Sequence, residues 1–431
     1  MSVQLSAPNE NSESVQPPDP LPPPPDGGYG WVCVAACFCV NCFTWGAVSQ
    51  TYGIYLAHYL SSGRFPEATP IDYALVGGLN FSTAMLVAPG VTIFARHYSV
   101  QAPMLLGTIL IAIGFISASF AHRIWQLYLT QGVLIGAGVG CAYIPSTAII
   151  SQWFEKKRSL ANGISSAGSG IGGIVYSFLT EAVIGRVSLA WALRITAVVS
   201  CSVLLVATLL IRTRNGDIRP SQRGFDFRLL RRRPDVWLLL AWGFLSMFGY
   251  ITLLFSLPDY ARSIGLSSAQ AAAVSAVLNL GTAIGRPLIG LSSDHFGRIE
   301  VAGLLTCASG LACLAIWMPA TSYGVLLFFA VIIGAILGVF WVVSQSSYPR
   351  TIGPICVEVA GLAELQSLLS LSWFATVLPT TFSEVIALKL RRPRSGREYL
   401  HPQIFCVVSY FAAGLCLLAL WWRIRLRSRV S

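Results

Sequence analysis

Twelve predominantly apolar stretches follow one another along the chain, at residues 29–58, 72–95, 102–121, 124–152, 160–181, 188–211, 236–261, 268–292, 299–318, 322–347, 357–386 and 402–424. Each reaches the roughly 20 residues that an α-helix needs to cross a hydrocarbon layer of about 30 Å. The pattern predicts an all-α membrane protein with 12 transmembrane helices. The longest internal gap lies between the sixth and seventh stretches. It carries Arg212, Arg214, Arg219, Arg223, Arg228 and Arg231-Arg232-Arg233, and ends at Pro234. The expected organisation is a six-helix half at 26–211, a basic linker at 212–235, a second six-helix half at 236–424 and a short basic tail at 425–431. Residues 1–25 are rich in Pro, Ser, Glu and Asn and hold no Lys or Arg. They are expected to form a disordered tail, since a secretory signal needs a positive start and an apolar core.

An internal repeat supports the division. Leu79-Asn80-Phe81-Ser82-Thr83-Ala84-Met85 in the second stretch matches Leu278-Asn279-Leu280-Gly281-Thr282-Ala283-Ile284 in the eighth at four of seven positions, 199 residues on. Gly136-x-x-x-Gly140 in the fourth matches Gly334-x-x-x-Gly338 in the tenth at an offset of 198. Two matches at nearly one offset point to pseudo-symmetric halves, an architecture common among secondary transporters.

Composition agrees with a membrane setting. Charged residues are 11% of the chain, against about 25% in a typical soluble domain. The net charge of +11 could suggest nucleic acid. Its basic residues instead gather in short runs between apolar stretches, as the positive-inside rule expects, so no nucleic-acid partner is predicted. With both termini cytoplasmic, 18 basic residues fall on the inner side and nine on the outer side. Five of those nine, Lys389, Arg391, Arg392, Arg394 and Arg397, sit in the last outer loop and break the pattern.

Metal and enzyme chemistry find little support. Cys33, Cys37, Cys39 and Cys42 resemble a cluster, but on a helix Cys37 and Cys39 point about 200° apart and cannot converge on one ion. Small apolar lining is the expected role, and neither metal nor cofactor is predicted. The five histidines, at 58, 97, 122, 295 and 401, form no metal box, and no HExxH is present. The glycine string at Gly136–Gly140 lacks dinucleotide-loop spacing and reads as close helix packing, as do Gly168-x-x-x-Gly172 and Gly281-x-x-x-Gly285.

Intramembrane charge is the remaining signal. Arg286 lies deep in the eighth stretch, between Gly285 and Pro287. An arginine at mid-bilayer costs at least about 2.5–3.5 kcal/mol on insertion scales, so it should face a cavity or a partner. Two readings are open: an anion anchor for a carboxylated substrate, or a structural arginine satisfied by carbonyls or by Glu364. Glu364, two turns into the eleventh stretch, is also a candidate proton carrier. Asn80 and Asn279 are pseudo-equivalent candidates for cavity lining or interhelical glue. Arg194 is expected to snorkel to the interface.

Three short motifs complete the reading. Asp26-Gly27-Gly28-Tyr29-Gly30-Trp31 opens the first stretch. Asp26 is expected to cap that helix, with Tyr29 and Trp31 in the headgroup layer and the glycines leaving room for a neighbouring helix. Trp153-Phe154-Glu155-Lys156-Lys157-Arg158, followed by Leu160-Ala161-Asn162-Gly163, leads into the fifth stretch. Gly290, Asp294, Gly297 and Arg298 form a GxxxDxxGR loop after the eighth, while FARHYS around Arg96 in the first half lacks the acid.

Together these motifs resemble the major facilitator superfamily and, within it, the monocarboxylate transporter family, over about residues 26–425. The first two match that family's signatures in order, and the chain is similar to its fungal branch. The resemblance implies alternating access, small monocarboxylates as substrates, often symport with a proton, and the plasma membrane as location. The family mechanism uses a first-helix lysine and an aspartate four residues before the eighth-helix arginine. Here the arginine is Arg286, Thr282 takes the aspartate position, and Ser49 falls near the lysine position. Anion binding therefore survives the comparison better than proton coupling. Substrates in the fungal branch are diverse, which leaves export of a larger, riboflavin-like or secondary-metabolite molecule as the alternative. A nutrient sensor of transporter shape is a third reading, disfavoured by the short tails.

Overall fold

The structure, a computed structural model, describes residues 25–147, 149–154, 157–214, 234–341, 365–392 and 397–428. Among them all regular structure is helical. Twelve helices are long and apolar enough to cross a membrane: Gly30–Ser62, Pro70–Ala95, Gln101–Ser119, Ile124–Thr147, Leu160–Arg186, Leu189–Leu210, Asp235–Ser263, Ser268–Ser293, Ile299–Trp317, Tyr323–Trp341, Leu371–Leu390 and Leu400–Leu426. They are spans 1 to 12. An even number of crossings puts both chain ends on one side, here termed the terminal face; the other side is the far face.

Local chemistry sets the helix ends. Span 2 starts in a capping box: the Thr69 main-chain N–H and hydroxyl both donate to Asp72 Oδ2 at 2.7 Å, and Pro70 occupies the first turn. Ser267 and Gln270 form the corresponding box before span 8. Gly63 ends span 1 at φ +57°, a conformation that suits glycine. Around the outside, Ile109 and Ile113 of span 3, Val198 and Leu209 of span 6, and Leu415 and Leu418 of span 12 stay exposed, an apolar belt facing lipid.

Span 11 departs from the expected 357–386. Its helix runs Leu365–Leu390, four residues past the expected 386, because Ala387, Leu388 and Leu390 continue the apolar run on either side of Lys389. Residues 357–364 are outside the described set. The shift changes the anomalous basic loop. Lys389 falls in the last helical turn. Arg391 donates to Asp259 Oδ2 of span 7 at 2.7 Å and to Glu398 at 2.8 Å. Part of the charge that breaks the positive-inside pattern is thus neutralised within the protein.

The repeat has a packing meaning. A Cβ on Gly136 of span 4 would lie 2.4 Å from the Asn80 carbonyl oxygen of span 2, and one on Gly334 of span 10 would lie 2.0 Å from that of Leu278 in span 8. In both sets of six spans the Leu-Asn pair therefore rests on the first glycine of GxxxG. The second glycines differ. Gly140 packs on Ala84, whereas Gly338 has φ +88° and follows the end of a helix at Ile336.

Candidate functional site

Spans 1–6 and 7–12 meet mainly through span 5 on span 8, span 2 on span 11 and span 1 on span 7. The far-face end is tied shut. Arg262 of span 7 donates to the Ala57 carbonyl (2.7 Å) and the Ser61 hydroxyl (3.0 Å) of span 1, and to Ser268 of span 8. Below it Gly53 rests on the main chain of Leu254 and on Pro258.

Between the two sets is a cavity lined by Asn41, Trp45, Ser49, Gln50, Phe81, Tyr143, Ser166, Tyr250, Arg286 and Trp341. Span 1 reaches it through a π-helical stretch, Cys42–Ser49. There Gln50 N–H donates to the Trp45 carbonyl and the Thr51 hydroxyl to that of Gly46, both five residues back. The widened turn brings Trp45, Ser49 and Gln50 to the same wall, a use of π-bulges common at functional sites. Ring centroids of Trp45 lie 4.8 Å from Phe81, 5.4 Å from Tyr143 and 6.3 Å from Trp341. Phe81 also contacts Tyr250 at 6.2 Å. The aromatic walls come from both sets of spans and touch one another. About 30 Å³ remains for the centres of water molecules, room for two or three. A solute of any size must part these rings.

Arg286 is the cation of this cavity. It is nine-tenths buried, and its Nη1 reaches across to span 5, donating to the Ser169 hydroxyl and to the Ser166 carbonyl at 3.3 Å. Its Nε has no hydrogen-bond partner, and no carboxylate pairs with it among the described residues. A Cβ on Gly338 would stand 3.3 Å from its Nη2, so this break in span 10 makes space for the guanidinium. The site can therefore hold an anion with donors left over.

The other expected residues lie elsewhere. Asn80 is buried between spans 2 and 4, donating to the Gln131 carbonyl at 2.8 Å, and lines no part of the cavity. Asn279 is fully buried against Gly173 of span 5, also off the cavity. Close packing at the repeat's glycines holds both at helix contacts, so their side chains are interhelical rather than cavity lining. Thr282 donates to the Leu278 and Gly334 carbonyls, facing span 10. Ser49 does line the cavity. Glu364 and Lys156 lie outside the described residues, as do the side chains of Arg158, Asp294 and Arg298. Gly297 closes the helix of span 8 at φ +94°, and Gly290 is buried within it.

The opening motif also needs correction. Asp26 does not cap span 1, whose first helical turn has no side-chain cap. At φ +52° it turns toward the start of span 5, where its Oδ1 accepts from the Lys157 N–H at 3.3 Å and its own N–H donates to the Trp153 carbonyl at 3.1 Å. Trp31 packs edge-on to Phe154 at 4.9 Å, and Tyr29 lies 5.8 Å from Trp153. Tyr29, Trp31 and Trp153 are half-buried in this contact, and a Cβ on Gly30 would lie 2.9 Å from both Trp153 and Phe154. Gly27 and Gly28 form the turn before the helix, Gly28 at φ +60°. Arg194 is half-buried: its Nε donates to Ser119 at 3.0 Å, and its guanidinium lies over the exposed Phe120 and Trp191 rings.

Sequence reasoning missed Trp45, Tyr143, Tyr250, Trp341 and Gln50. Trp45 and Gln50 share span 1 and the others lie in spans 4, 7 and 10; each is ordinary where it stands, and only the convergence of these four spans makes a wall of them.

Comparison with known proteins completes the description. Residues 34–361 match the family model described as Major Facilitator Superfamily. The chain is 35% identical over 397 residues to the probable transporter MCH2 of Saccharomyces cerevisiae, covering 91% of this chain and 82% of that one. It is 34% identical to the uncharacterized transporter ESBP6 of the same yeast, spanning 58% of that protein's length. It is 28% identical over 339 residues to the fujikurins efflux protein of Gibberella fujikuroi, covering 77% of this chain and 71% of that one. Among solved structures, a D-xylose–proton symporter superposes with a TM-score of 0.70 at 12% identity, covering 91% of this chain and 98% of that one. At that identity the likeness concerns the fold.

Proposed function

Because the chain belongs to the Major Facilitator Superfamily, we propose that this secondary transporter moves a monocarboxylate or related small organic anion by alternating access, with Arg286 as the anchor. The observation that carries the reading is a buried arginine, unpaired with any carboxylate among the described residues, in a cavity where the two sets of spans meet. A carboxylate there accepts from a guanidinium already oriented by Ser166 and Ser169. Asn41, Gln50 and Ser49 supply polar contacts, and the two halves, 26–211 and 236–424, rock around the site. Cytoplasmic termini fit the weight of basic residues on the terminal face, and the plasma membrane is the location the family resemblance implies.

A second reading is export of a larger organic molecule. The aromatic walls favour it, offering broad apolar faces to a bulky solute, and so does a relative named as an efflux protein.

The test is flux in proteoliposomes holding the full chain, with labelled pyruvate and labelled benzoate as probes, with and without a pH gradient. Arg286→Gln should cut flux at least tenfold, in line with a charged hydrogen bond of about 1.5–3 kcal/mol. Unchanged flux and affinity in that variant would remove Arg286 as anchor. Failure of both acids to move in the wild type would favour the larger solute.

A further inference from the structure

Glu384 is a carboxylate inside span 11 that the anion site does not use. It is 1% exposed. The Ser256 hydroxyl of span 7 donates to its Oε1 at 2.7 Å. Its Oε2 has no hydrogen-bond partner, and it makes no ion pair among the described residues. An ionisable group in the membrane interior is costly and is retained for function by default. A carboxyl with one oxygen held and the other free is built to be occupied by something small.

Its surroundings favour a proton over a larger cation. Among the described residues Ser256 is the side-chain donor on the carboxyl, and one carboxyl with one hydroxyl falls short of the six or more ligands a hard metal ion takes. The titratable or charged groups around it come from several elements. Asp259 of span 7 is already bound by Arg391 and Tyr399. Tyr52 of span 1 donates its hydroxyl to the Tyr73 carbonyl of span 2. Asp72 of span 2 is committed to Thr69 and Tyr128. Tyr399 precedes span 12, and Arg391 follows the end of Glu384's own helix. Where span 2 meets span 11, Gly78 rests on the Thr381 main chain.

Position gives the group a role. On span 7, Tyr250 lines the cavity, Ser256 holds Glu384, and Asp259 belongs to the far-face cluster. Helix rise puts Ser256 roughly 9 Å beyond Tyr250 and Asp259 roughly 4.5 Å further. Glu384 therefore stands between the cavity and the far-face rim, beneath the span 1–span 7 contact that Arg262 ties shut. We propose that Glu384 is a proton-binding site, loaded from the far face when that contact opens and enclosed when it closes. One proton forms an O–H bond on the carboxylate, its charge goes from −1 to 0, and no other bond changes. Coupling of that proton to an organic anion rests on the transport reading above; the binding site itself does not.

Two measurements on the full chain in lipid test it. In pH-difference infrared spectroscopy the wild type should show a carboxyl C=O band that comes and goes with pH. Glu384→Gln should abolish that band, and Ser256→Ala should move it to higher frequency by removing the donor. In proteoliposomes Glu384→Gln should keep exchange of labelled pyruvate while pH-driven accumulation falls at least tenfold. The proposal fails if the band is missing or survives in Glu384→Gln, or if that variant accumulates pyruvate like the wild type. A wild type that moves neither pyruvate nor benzoate but shows the band, lost in Glu384→Gln, upholds the proton site and overturns the substrate class instead.

Discussion

A single added methyl group should do two different things at two glycine contacts of nearly equal tightness. A Cβ on Gly334 would lie 2.0 Å from the Leu278 carbonyl oxygen, a contact between spans 10 and 8. A Cβ on Gly78 would lie 2.3 Å from the Thr381 carbonyl oxygen, a contact between spans 2 and 11. Ordinary contact begins at 3.4 Å, so the backbones must part by up to 1.4 Å (3.4 − 2.0) and 1.1 Å (3.4 − 2.3) along those lines. Overpacking of this kind costs about 1–3 kcal/mol. In the proposed two-half cycle spans 8 and 10 stay together, so Gly334→Ala weakens the fold itself. Spans 2 and 11 then lie in opposite halves, so Gly78→Ala charges its cost only to the state in which they touch. At 1.4 kcal/mol per tenfold, that state loses population by roughly 5- to 150-fold relative to its alternative. The assay pairs the Tm of the purified protein with thiol labelling of Ala57→Cys, a buried position under the Arg262 tie, measured against the same chain lacking that substitution. Gly334→Ala should lower Tm with labelling unchanged; Gly78→Ala should speed labelling with a smaller loss of Tm. If Gly78→Ala lowers Tm as much as Gly334→Ala and labelling stays slow, spans 2 and 11 do not separate and the reasoning is wrong.

Arg262→Ala should also speed Ala57→Cys labelling, by several-fold, because it removes two hydrogen bonds between spans 7 and 1; an unchanged rate would mean the tie is incidental. Arg391→Gln should destabilise by up to about 3 kcal/mol, the low end for a broken buried pair, since it leaves the Asp259 carboxylate without its cation and held by the Tyr399 hydroxyl, while Arg391 itself is 24% exposed. Adding Asp259→Asn should restore part of that loss in a double-mutant cycle, and strict additivity would refute the coupling. Burial and the adjoining Asp259 carboxylate push the Tyr399 phenol well above its ordinary value. The folded chain then keeps a proton that the unfolded chain releases, so its contribution to stability is present below about pH 10 and is lost above it. The Tm advantage of wild type over Tyr399→Phe should accordingly shrink as pH rises past about 10; a constant difference would contradict the shift.

What the chain reveals in one dimension depends on whether a property is additive along it. Hydrophobic length is, so twelve spans could be read directly, and a lone cation in an apolar run marked Arg286. Span 11 is drawn only to 386 for the same reason: Lys389 interrupts the run there, while the helix carries on to Leu390. Cavity walls are not additive. Trp45, Phe81, Tyr143, Tyr250 and Trp341 each sit in a different span, and nothing in any one span distinguishes a ring facing lipid from a ring facing its counterparts. Asn80 and Asn279 misled because polarity in a membrane helix signals a need for partners, not the place where they are found. Tight glycine contacts met that need at helix interfaces and kept both residues off the cavity. The two signature motifs show the converse. Read apart, Asp26–Trp31 looked like a helix start and Trp153–Arg158 like a basic loop. In the fold Asp26 binds the Lys157 N–H while Trp31 packs on Phe154, and Tyr29 donates to the Leu210 carbonyl and lies under Arg212. The starts of spans 1 and 5 and the end of span 6 are thus clamped on the terminal face, a constraint that asks for residues at both motifs together. Their joint presence is better explained by this one contact than by separate roles at two helix ends.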